Sequence, residues 1–588
     1  MCRSARGKGQ TFAPFYHSED ADEHEHLVKL NHEVPTAFPA QVLEEAAALP
    51  LSPQPEDLAG RKDIRHLPLV TIDGADARDF DDAIHVEKKG QGWLLRVAIA
   101  DVSHYVRPTR SRRPSLDREA LARGNSWYFP RSVEPMLPPA LSNGLCSLKP
   151  HEDRLAVLVE IPFTAQGLPG QARFALAVMR SAARLTYDVV KACLLDSDTG
   201  ALARLRSQTH GAAVLAMLEE AFALFSVLRE QRRRRGSLDF DLPEPCYAFN
   251  QQGRVTDVCQ AQRHDAHRLI EEFMIAANEA TARFLAASDL PFLYRVHPAP
   301  AADRMSDLLE SLRTTAADCL AKLPPGALRR NGAMPLTPAG LQAILAAAKG
   351  SEHEFLVNRL CLRALSQARY QADNEGHFGL ASQAYCHFTS PIRRYADLLV
   401  HRVLKTAMGC PAGPVPAGQK LIRLADQLNR LERAAMECER ETARRLACLA
   451  LHDRLGQRFE GLISGMMEFG LFVELHDMPV EGMIRVRDLG NDWFTLDHRS
   501  QCLVGQRSGM CWRLGQKVEV RLAGVDMTRL EIRLIPLSGP SERHNPAHIM
   551  RRMKQKHKQA GRTSSWRRNS QGQDKEYRLP HRRKGNER

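Results

Sequence analysis

None of the chain's thirteen cysteines sits in a CxxC pair or at Cys/His ligand spacing. That pattern excludes a disulfide framework and a zinc-ribbon reading, and it points to reduced thiols in the cytoplasm. The first residues, MCRSARGKG, are basic and lack an apolar h-region, so no secretory signal is expected. No run of 18 apolar residues stands out, so no membrane span is expected either. Acidic charge is in the minority. There are 69 Asp+Glu against 82 Lys+Arg, a net +13, which suggests a polyanionic partner such as nucleic acid. At 588 residues the chain has room for about four ordinary domains and their cores.

Both signs of charge are concentrated. Residues 551–588 carry fourteen Lys/Arg and three Asp/Glu, so most of the net charge lies in the last 38 residues. The acids crowd into 71–86, TIDGADARDFDDAIHV, where Asp73, Asp76, Asp79, Asp81 and Asp82 fall within ten positions and Arg78 is the only cation. At ~4 Å and an effective dielectric near 20, each like-charge pair costs roughly 4 kcal/mol. Solvation of an acidic turn or a divalent cation relieves such crowding. Apolar flanks weigh against the solvated turn, and hard carboxylate oxygens suit Mg²⁺ or Mn²⁺ joined to a substrate phosphate.

Along the chain, residues 1–60 read as a proline-broken linker with a short helix over 42–48. Its His17, His24 and His26 lack ligand spacing and read as solvated. Strands are expected at 67–72, 83–86 and 93–100. A hairpin centred on Gly90 would pair positions summing to about 180, setting Asp101 opposite Asp79 as a supporting acid. The segment NSWYFP, 125–130, places aromatics in a basic loop, either as base-stacking rings or as satellite core. Helices are expected over 210–235, 265–287, 335–371 and 417–455. The Arg run 232–235 before Gly236 reads first as helix-ending chemistry.

A second dense stretch, HFGLASQAYCHFTSPIRRYADLLVHR, covers 377–402. Thr389-Ser390-Pro391 is a helix-start signal, which would put Arg393 and Arg394 in a first turn that disfavours cations. Such a local conflict marks a candidate phosphate site, with a salt bridge to Asp397 or Asp82 as the alternative. After Gly456, short alternating strands at 458–463, 471–475, 482–486, 517–523 and 531–534 suggest a five-stranded OB-type barrel. Phe469 and Phe472, with Trp493 and Phe494 downstream, are candidate stacking rings, at least one of them core. Past Ser538 the composition is too polar to fold alone and reads as a disordered basic arm.

The motifs TIDGADARDFDDA, RVAIADVSHYV, LSNGLCSL, HRLIEEFMIAANEA and HFTSPIRRYADLLVHR resemble the catalytic RNB domain of the ribonuclease II / ribonuclease R family, with RDFDDA and HFGLA favouring the ribonuclease R branch. The resemblance implies an α+β catalytic domain over 61–455, an S1-type OB-fold barrel over 456–537, a disordered basic tail over 538–588, and a remnant connector over 1–60. It implies a processive 3′-to-5′ hydrolytic exoribonuclease that degrades single-stranded and 3′-overhang RNA to nucleoside 5′-monophosphates. Asp73, Asp79, Asp81 and Asp82 would hold Mg²⁺ (Mn²⁺ in its place) and activate water. Asp81 would be closest to the chemistry, and Arg393 would hold the scissile phosphate. Tyr128 and Tyr294 would clamp the terminal nucleotides. Arg394, Phe469, Phe472 and Arg485 would contact RNA, and Asp101 and Glu439 would stand behind the site. A monomer, with the ribosome or RNA-decay factors as further partners, belongs to the same expectation.

Two features depart from the family pattern. Two cold-shock domains usually precede the RNB domain, whereas here about 60 residues do, which puts the RNA access channel, affinity and processivity in question but not the chemistry. Arg485 stands where a His is common. The expected mechanism is in-line hydrolysis with two metals. A catalytically silent RNA-binding protein and a metal-dependent DNA exonuclease or phosphodiesterase are the rivals.

Overall fold

The structure, a computed structural model, describes residues 18–540 except 110–112, 241–243, 324–336, 411–412 and 498–500. His17 and almost all of the expected basic tail lie outside the described residues. The opening segment is not the solvated linker its prolines suggest. Helix α1 (Ala21–Asn31) is capped by Asp20, whose carboxylate accepts the Asp22 N–H at 2.9 Å. It buries Val28 in a small cluster with Val34, Trp127, Phe129 and Cys438. His24 is buried as well, its Nε2 2.9 Å from the Ser18 carbonyl oxygen. Tertiary burial of one apolar stripe has overridden a polar local composition.

The core of the larger unit is a seven-stranded sheet. Its strands are β1 (Lys62–Asp63), β2 (Val70–Asp73), β3 (Asp82–Lys89), β4 (Gly92–Ala100), β5 (Asp153–Phe163), β6 (Arg173–Arg180) and β7 (Ala183–Thr186), in spatial order β1-β6-β5-β4-β3-β2-β7. The β3–β4 hairpin pairs Asp82 with Ile99 and Lys89 with Gly92, so partners sum to 181. The expected register is off by one, because the turn is the two-residue Gly90-Gln91. Asp101 therefore does not face Asp79; it lies beyond the end of β4.

Both faces of the sheet are covered, which is why β4 and β5 read as nearly continuous apolar runs. Ile84, Leu95, Val97, Ile99, Val157 and Val159 pack on one side with helices α2 (Gly211–Arg235) and α3 (Asp265–Ala287). By length and composition α2 is apolar enough to cross a membrane, although Glu219 and Glu220 interrupt its apolar run; Leu215, Leu218, Leu224 and Phe225 bury it on the sheet. It stops at Gly236, φ +91°, with Arg232 and Arg235 paired to Glu272 and Glu279 at 2.9 Å each. Those arginines are structural. Between α2 and α3 the chain makes a hairpin, β8 (Pro245–Phe249) and β9 (Val255–Gln260). The single helix expected over 335–371 divides into Pro338–Ala348 and Glu354–Ala364, interrupted at Gly350 (φ +72°), and the chain then forms a strand at Arg369–Gln371.

On the other face Ala83, Ala98, Ala100 and Ala156 leave room for α4 (Tyr395–Ala407) and the start of the long α5 (Gly418–His452). The chain then enters a closed five-stranded barrel, β10 (Arg458–Met467), β11 (Gly470–Leu475), β12 (Glu481–Arg485), β13 (Lys517–Asp526) and β14 (Glu531–Pro536). All five strands match the sequence expectation. A three-stranded sheet, Phe494–Asp497, Cys502–Gly505 and Cys511–Arg513, is inserted before β13 and was not foreseen.

Candidate active site

Strand β2 ends on Asp73 and β3 begins on Asp82, so the sheet itself fixes two acids at the ends of neighbouring strands. The loop between them is held through its backbone. Ser147 of LSNGLCSL accepts the Phe80 N–H at 3.0 Å and donates to the Arg78 carbonyl at 2.7 Å. Arg184 donates to the carbonyls of Gly74 and Ala75 at 2.7 and 2.6 Å. Phe80 turns into the core, and Asp79 and Asp81 on either side of it turn the other way. Asp73, Asp79, Asp81 and Asp82 all line one cavity of about 850 Å³, with the exposed Asp76 at its edge.

Opposite the acids stands the 389–394 loop. Asp81 is 4% exposed. Its Oδ1 accepts the Ile392 N–H at 2.8 Å, and its Oδ2 is buried without a hydrogen bond, 3.3 Å from Arg393 Nε. Arg393 is half open to the cavity. Helix α4 starts at Tyr395, later than Ser390-Pro391 suggests, with Arg394 as its cap residue. The two arginines therefore precede the helix, and the positive pole beside Arg394 is offset by Asp397 in the first turn. Arg394 forks onto buried Asp397 at 2.7 and 2.8 Å, and Asp397 also accepts the Ser390 N–H at 2.8 Å. The alternative weighed from sequence thus holds for Arg394, whose role is to brace the loop, while Arg393 keeps its guanidinium at the cavity.

The NSWYFP segment is stitched to this loop, Ser126 N–H to the Arg393 carbonyl at 2.9 Å. Trp127 and Phe129 are core; Tyr128 is 43% exposed and lines the cavity, its hydroxyl 3.5 Å from Asp79 Oδ2. Tyr294 packs on Phe292, centroids 4.1 Å apart, and its neighbour Arg295 is the residue that reaches the cavity. Asp101 is not at the site. It is buried between Arg61 at 2.8 Å and Lys405 at 2.5 Å, which tie the segment before β1 to α4. Glu439 does reach the neighbourhood, in a smaller cavity of about 200 Å³ that shares Tyr128, Arg393 and Arg394 with the large one. On the barrel Phe469 is 60% exposed, with Phe472 edge-on at 6.1 Å, and Arg485 pairs with Glu531 at 2.9 Å.

The far wall was missed by sequence reasoning. His377, Tyr385, His387, Asn278, Tyr187 and Glu271 complete the cavity. Asn278 donates to the Tyr385 hydroxyl at 3.0 Å and accepts the Phe388 N–H at 2.8 Å, and the Tyr370 hydroxyl lies 2.8 Å from His387 Nδ1. Burial, reinforced by His297 and Arg295, lowers His377 to about 3, and burial beside Arg394 and Arg295 holds His387 well below its ordinary range. Apart from Glu271, this wall is uncharged and largely aromatic, while the near wall is charged.

Burial raises the carboxyls of Asp73 and Asp81, and burial with the Asp73 charge pushes Asp82 to about 7. Among the described residues no three His, Cys, Asp or Glu groups close into a preformed metal cage. The acids ring an open cavity instead, short of positive charge, with one carboxylate oxygen orphaned. That fits a hard cation that keeps water and takes phosphate oxygens as its remaining ligands.

Comparison with known proteins matches both folded regions of the chain. Residues 61–409 match the RNB domain and residues 452–535 the S1 RNA binding domain. Ribonuclease R of Escherichia coli is 42% identical over 513 residues, 85% of this chain and 60% of that protein, so the chain spans about three-fifths of its relative. The solved structure of Mycoplasma genitalium RNase R in complex with ribose methylated single-stranded RNA superposes with a TM-score of 0.78 at 28% identity, covering 88% of this chain and 78% of that one. Yeast Ssd1, a pseudonuclease, shares the fold at 16% identity and TM-score 0.63, covering 83% of this chain and 58% of that one.

Proposed function

The chain belongs to the RNB domain family, and from that premise we propose that it is a hydrolytic exoribonuclease acting on the 3′ end of single-stranded RNA. Its products are nucleoside 5′-monophosphates, and RNA with a 3′ overhang is within its range. The observation that carries the proposal is the convergence of Asp73, Asp79, Asp81, Asp82 and Arg393 on one cavity. The four acids would hold Mg²⁺ or Mn²⁺, which when bound supplies positive charge for phosphate oxygens and lowers the pKa of water.

The chain's own residues account for the remaining steps. Arg393 offers a guanidinium fork to the scissile phosphate and neutralises the charge that grows on it. Asp81 Oδ2, the buried oxygen without a hydrogen bond, orients the attacking water. Tyr128 stacks on a terminal base and so fixes which phosphate lies beside the acids. His387 and Tyr385, the latter positioned by Asn278, offer the nucleoside neutral hydrogen-bonding groups. Phe469, Phe472 and, with its charge shared by Glu531, Arg485 hold RNA farther from its end.

The fold alone does not decide between cleavage and silent binding, since a pseudonuclease also carries it. Retention of all four acids favours cleavage. The test is 3′-end-labelled single-stranded RNA with Mg²⁺ or with EDTA. Release of labelled 5′-monophosphate in Mg²⁺ alone is expected, and RNA bound but intact in Mg²⁺ would establish the binding reading instead. A single 2′-deoxy substitution near the 3′ end separates an enzyme that reads the 2′-hydroxyl from a general phosphodiesterase.

A further inference from the structure

Three of the described cysteines are exposed, Cys246, Cys259 and Cys410, and the first two face each other across the β8–β9 hairpin. The Ala261 N–H donates to the Glu244 carbonyl at 2.8 Å, so Glu244 and Ala261 form a hydrogen-bonded pair. Two residues along, before the bulge at Ala248/Phe249, Cys246 and Cys259 form a pair of the same kind. Such pairs place Cα atoms roughly 5.5 Å apart, with both side chains on one face, within the ~4.4–6.8 Å that a disulfide spans. Cys259 Sγ reaches across to the Cys246 carbonyl at 3.5 Å. Burial and then the neighbouring Cys259 thiol hold the Cys246 thiol above its ordinary value.

We propose that Cys246 and Cys259 are a redox modification site that closes reversibly to an intrachain disulfide. With hydrogen peroxide, one thiolate attacks an oxygen and becomes a sulfenic acid. The second sulfur displaces that oxygen as water, so that two thiols and one peroxide give one disulfide and two waters. With oxidised glutathione, two successive exchanges give the same bond and two reduced glutathiones. An exposed pair of this kind is readily reduced again. The hairpin is also a junction. Its Gly253 carbonyl accepts the Ala21 N–H of α1 at 3.2 Å, the Tyr247 hydroxyl donates to Ala443 of α5 at 3.1 Å, and Arg131, three residues after Tyr128, lies over Phe249 at 4.8 Å. The disulfide fixes the ladder to which these contacts attach.

The experiment uses the full chain. The native protein is treated with a small excess of peroxide or oxidised glutathione, quenched with N-ethylmaleimide, denatured and digested with trypsin. Arg254 lies between the two cysteines, so the site falls on separate peptides, 236–254 and 255–263. The expected result is a linked pair two hydrogens lighter than the sum, lost on reduction, formed before Cys410 is modified. It should be absent in Cys246→Ser and Cys259→Ser, each of which should leave its partner as a mixed disulfide with glutathione. Separate adducts on both cysteines of the parent, or both still alkylated when Cys410 is oxidised, would overturn the proposal.

Discussion

Asp81→Asn removes a charge and almost no volume, which makes it the sharpest test of the proposed site. The Asn carbonyl can keep the 2.8 Å bond from the Ile392 N–H. Its amide then faces Arg393, so the contact at 3.3 Å is lost. Removing one partner of a fully buried pair costs about 3–5 kcal/mol because an uncompensated charge stays behind. Here the remaining charge is 44% exposed at its side chain, and the loss is closer to the 0–1 kcal/mol of a solvated pair. Relief of a carboxylate that burial holds well above its ordinary range offsets even that. The midpoint of thermal unfolding should move by only a few degrees, at roughly 2–4 °C per kcal/mol for a large domain. Catalysis should fall far more. Loss of one preorganised group at a developing charge costs about 10²–10³, and Asp81 would act on both the cation and the water. A loss of at least ~10³, or about 4 kcal/mol in the barrier, is expected. Single-turnover release of 5′-monophosphate measures it, and fluorescence anisotropy of labelled RNA measures binding. Activity within tenfold of the parent would refute the assignment; so would joint collapse of activity, binding and thermal stability, since the loop would then be structural.

Four further outcomes are expected. Tyr128→Ala should weaken use of short oligonucleotides by about 1–3 kcal/mol, seen in KM or Kd, whereas Tyr128→Phe should stay near the parent because the 3.5 Å hydroxyl contact is long. Asp397→Ala strands Arg394 and the Ser390 N–H, and should destabilise by about 3–5 kcal/mol in urea titrations, with Asp397→Asn milder; equal stability of parent and Ala variant would remove Asp397 as the brace. Asp82, raised to about 7 by burial and Asp73, binds its proton more tightly folded than unfolded. Its contribution to metal-free stability is full below the ordinary carboxylate range and is lost as pH rises through about 7. Mg²⁺ competes with that proton, so apparent Mg²⁺ affinity should climb toward pH 7 and flatten above it; isothermal titration that finds no pH dependence would sink the argument. Deletion of residues 540–588, which removes the net +11 of 551–588, should lower the slope of log K against log salt by roughly 0.7 per lost phosphate contact on single strands, and an unchanged slope would exclude the tail as an electrostatic arm.

What could be read from the sequence was what is local. The acids stand within ten positions, so their crowding shows without a fold. Helix α3 begins and ends where its period does, and the barrel's alternation survives because each strand has one wet face. What failed was set by distant partners. The start of α4 moved because the N–H groups of Ser390 and Ile392, which a capping signal should leave for the helix, are taken by Asp397 and Asp81. A one-residue difference in a turn moved Asp101 from a supporting acid to the anchor of Arg61 and Lys405. Within NSWYFP, composition cannot say which ring is exposed; α1 and Cys438 cover Trp127 and Phe129 and leave Tyr128 outside. Asn278, His377, Tyr385 and His387 come from two stretches about a hundred residues apart, and no spacing rule joins them.

The crowded acids also explain why the site sits where it does. A loop of mutually repelling carboxylates would relax if its backbone were mobile, yet Asp73, Asp79, Asp81 and Asp82 are all held on one cavity, three of them with carboxyls raised first by burial. The restraint is the sheet, covered on both faces, with Ser147 and Arg184 fixing the loop's carbonyls and amides. The cations that approach most easily are kept off the carboxylates. Arg184 is held by backbone oxygens and Arg394 by Asp397. Only Arg393 among the cavity's arginines faces Asp81, and it stays half open. The charge deficit is therefore left for something that enters from solution, and a phosphodiester with its counter-cation brings both signs at once.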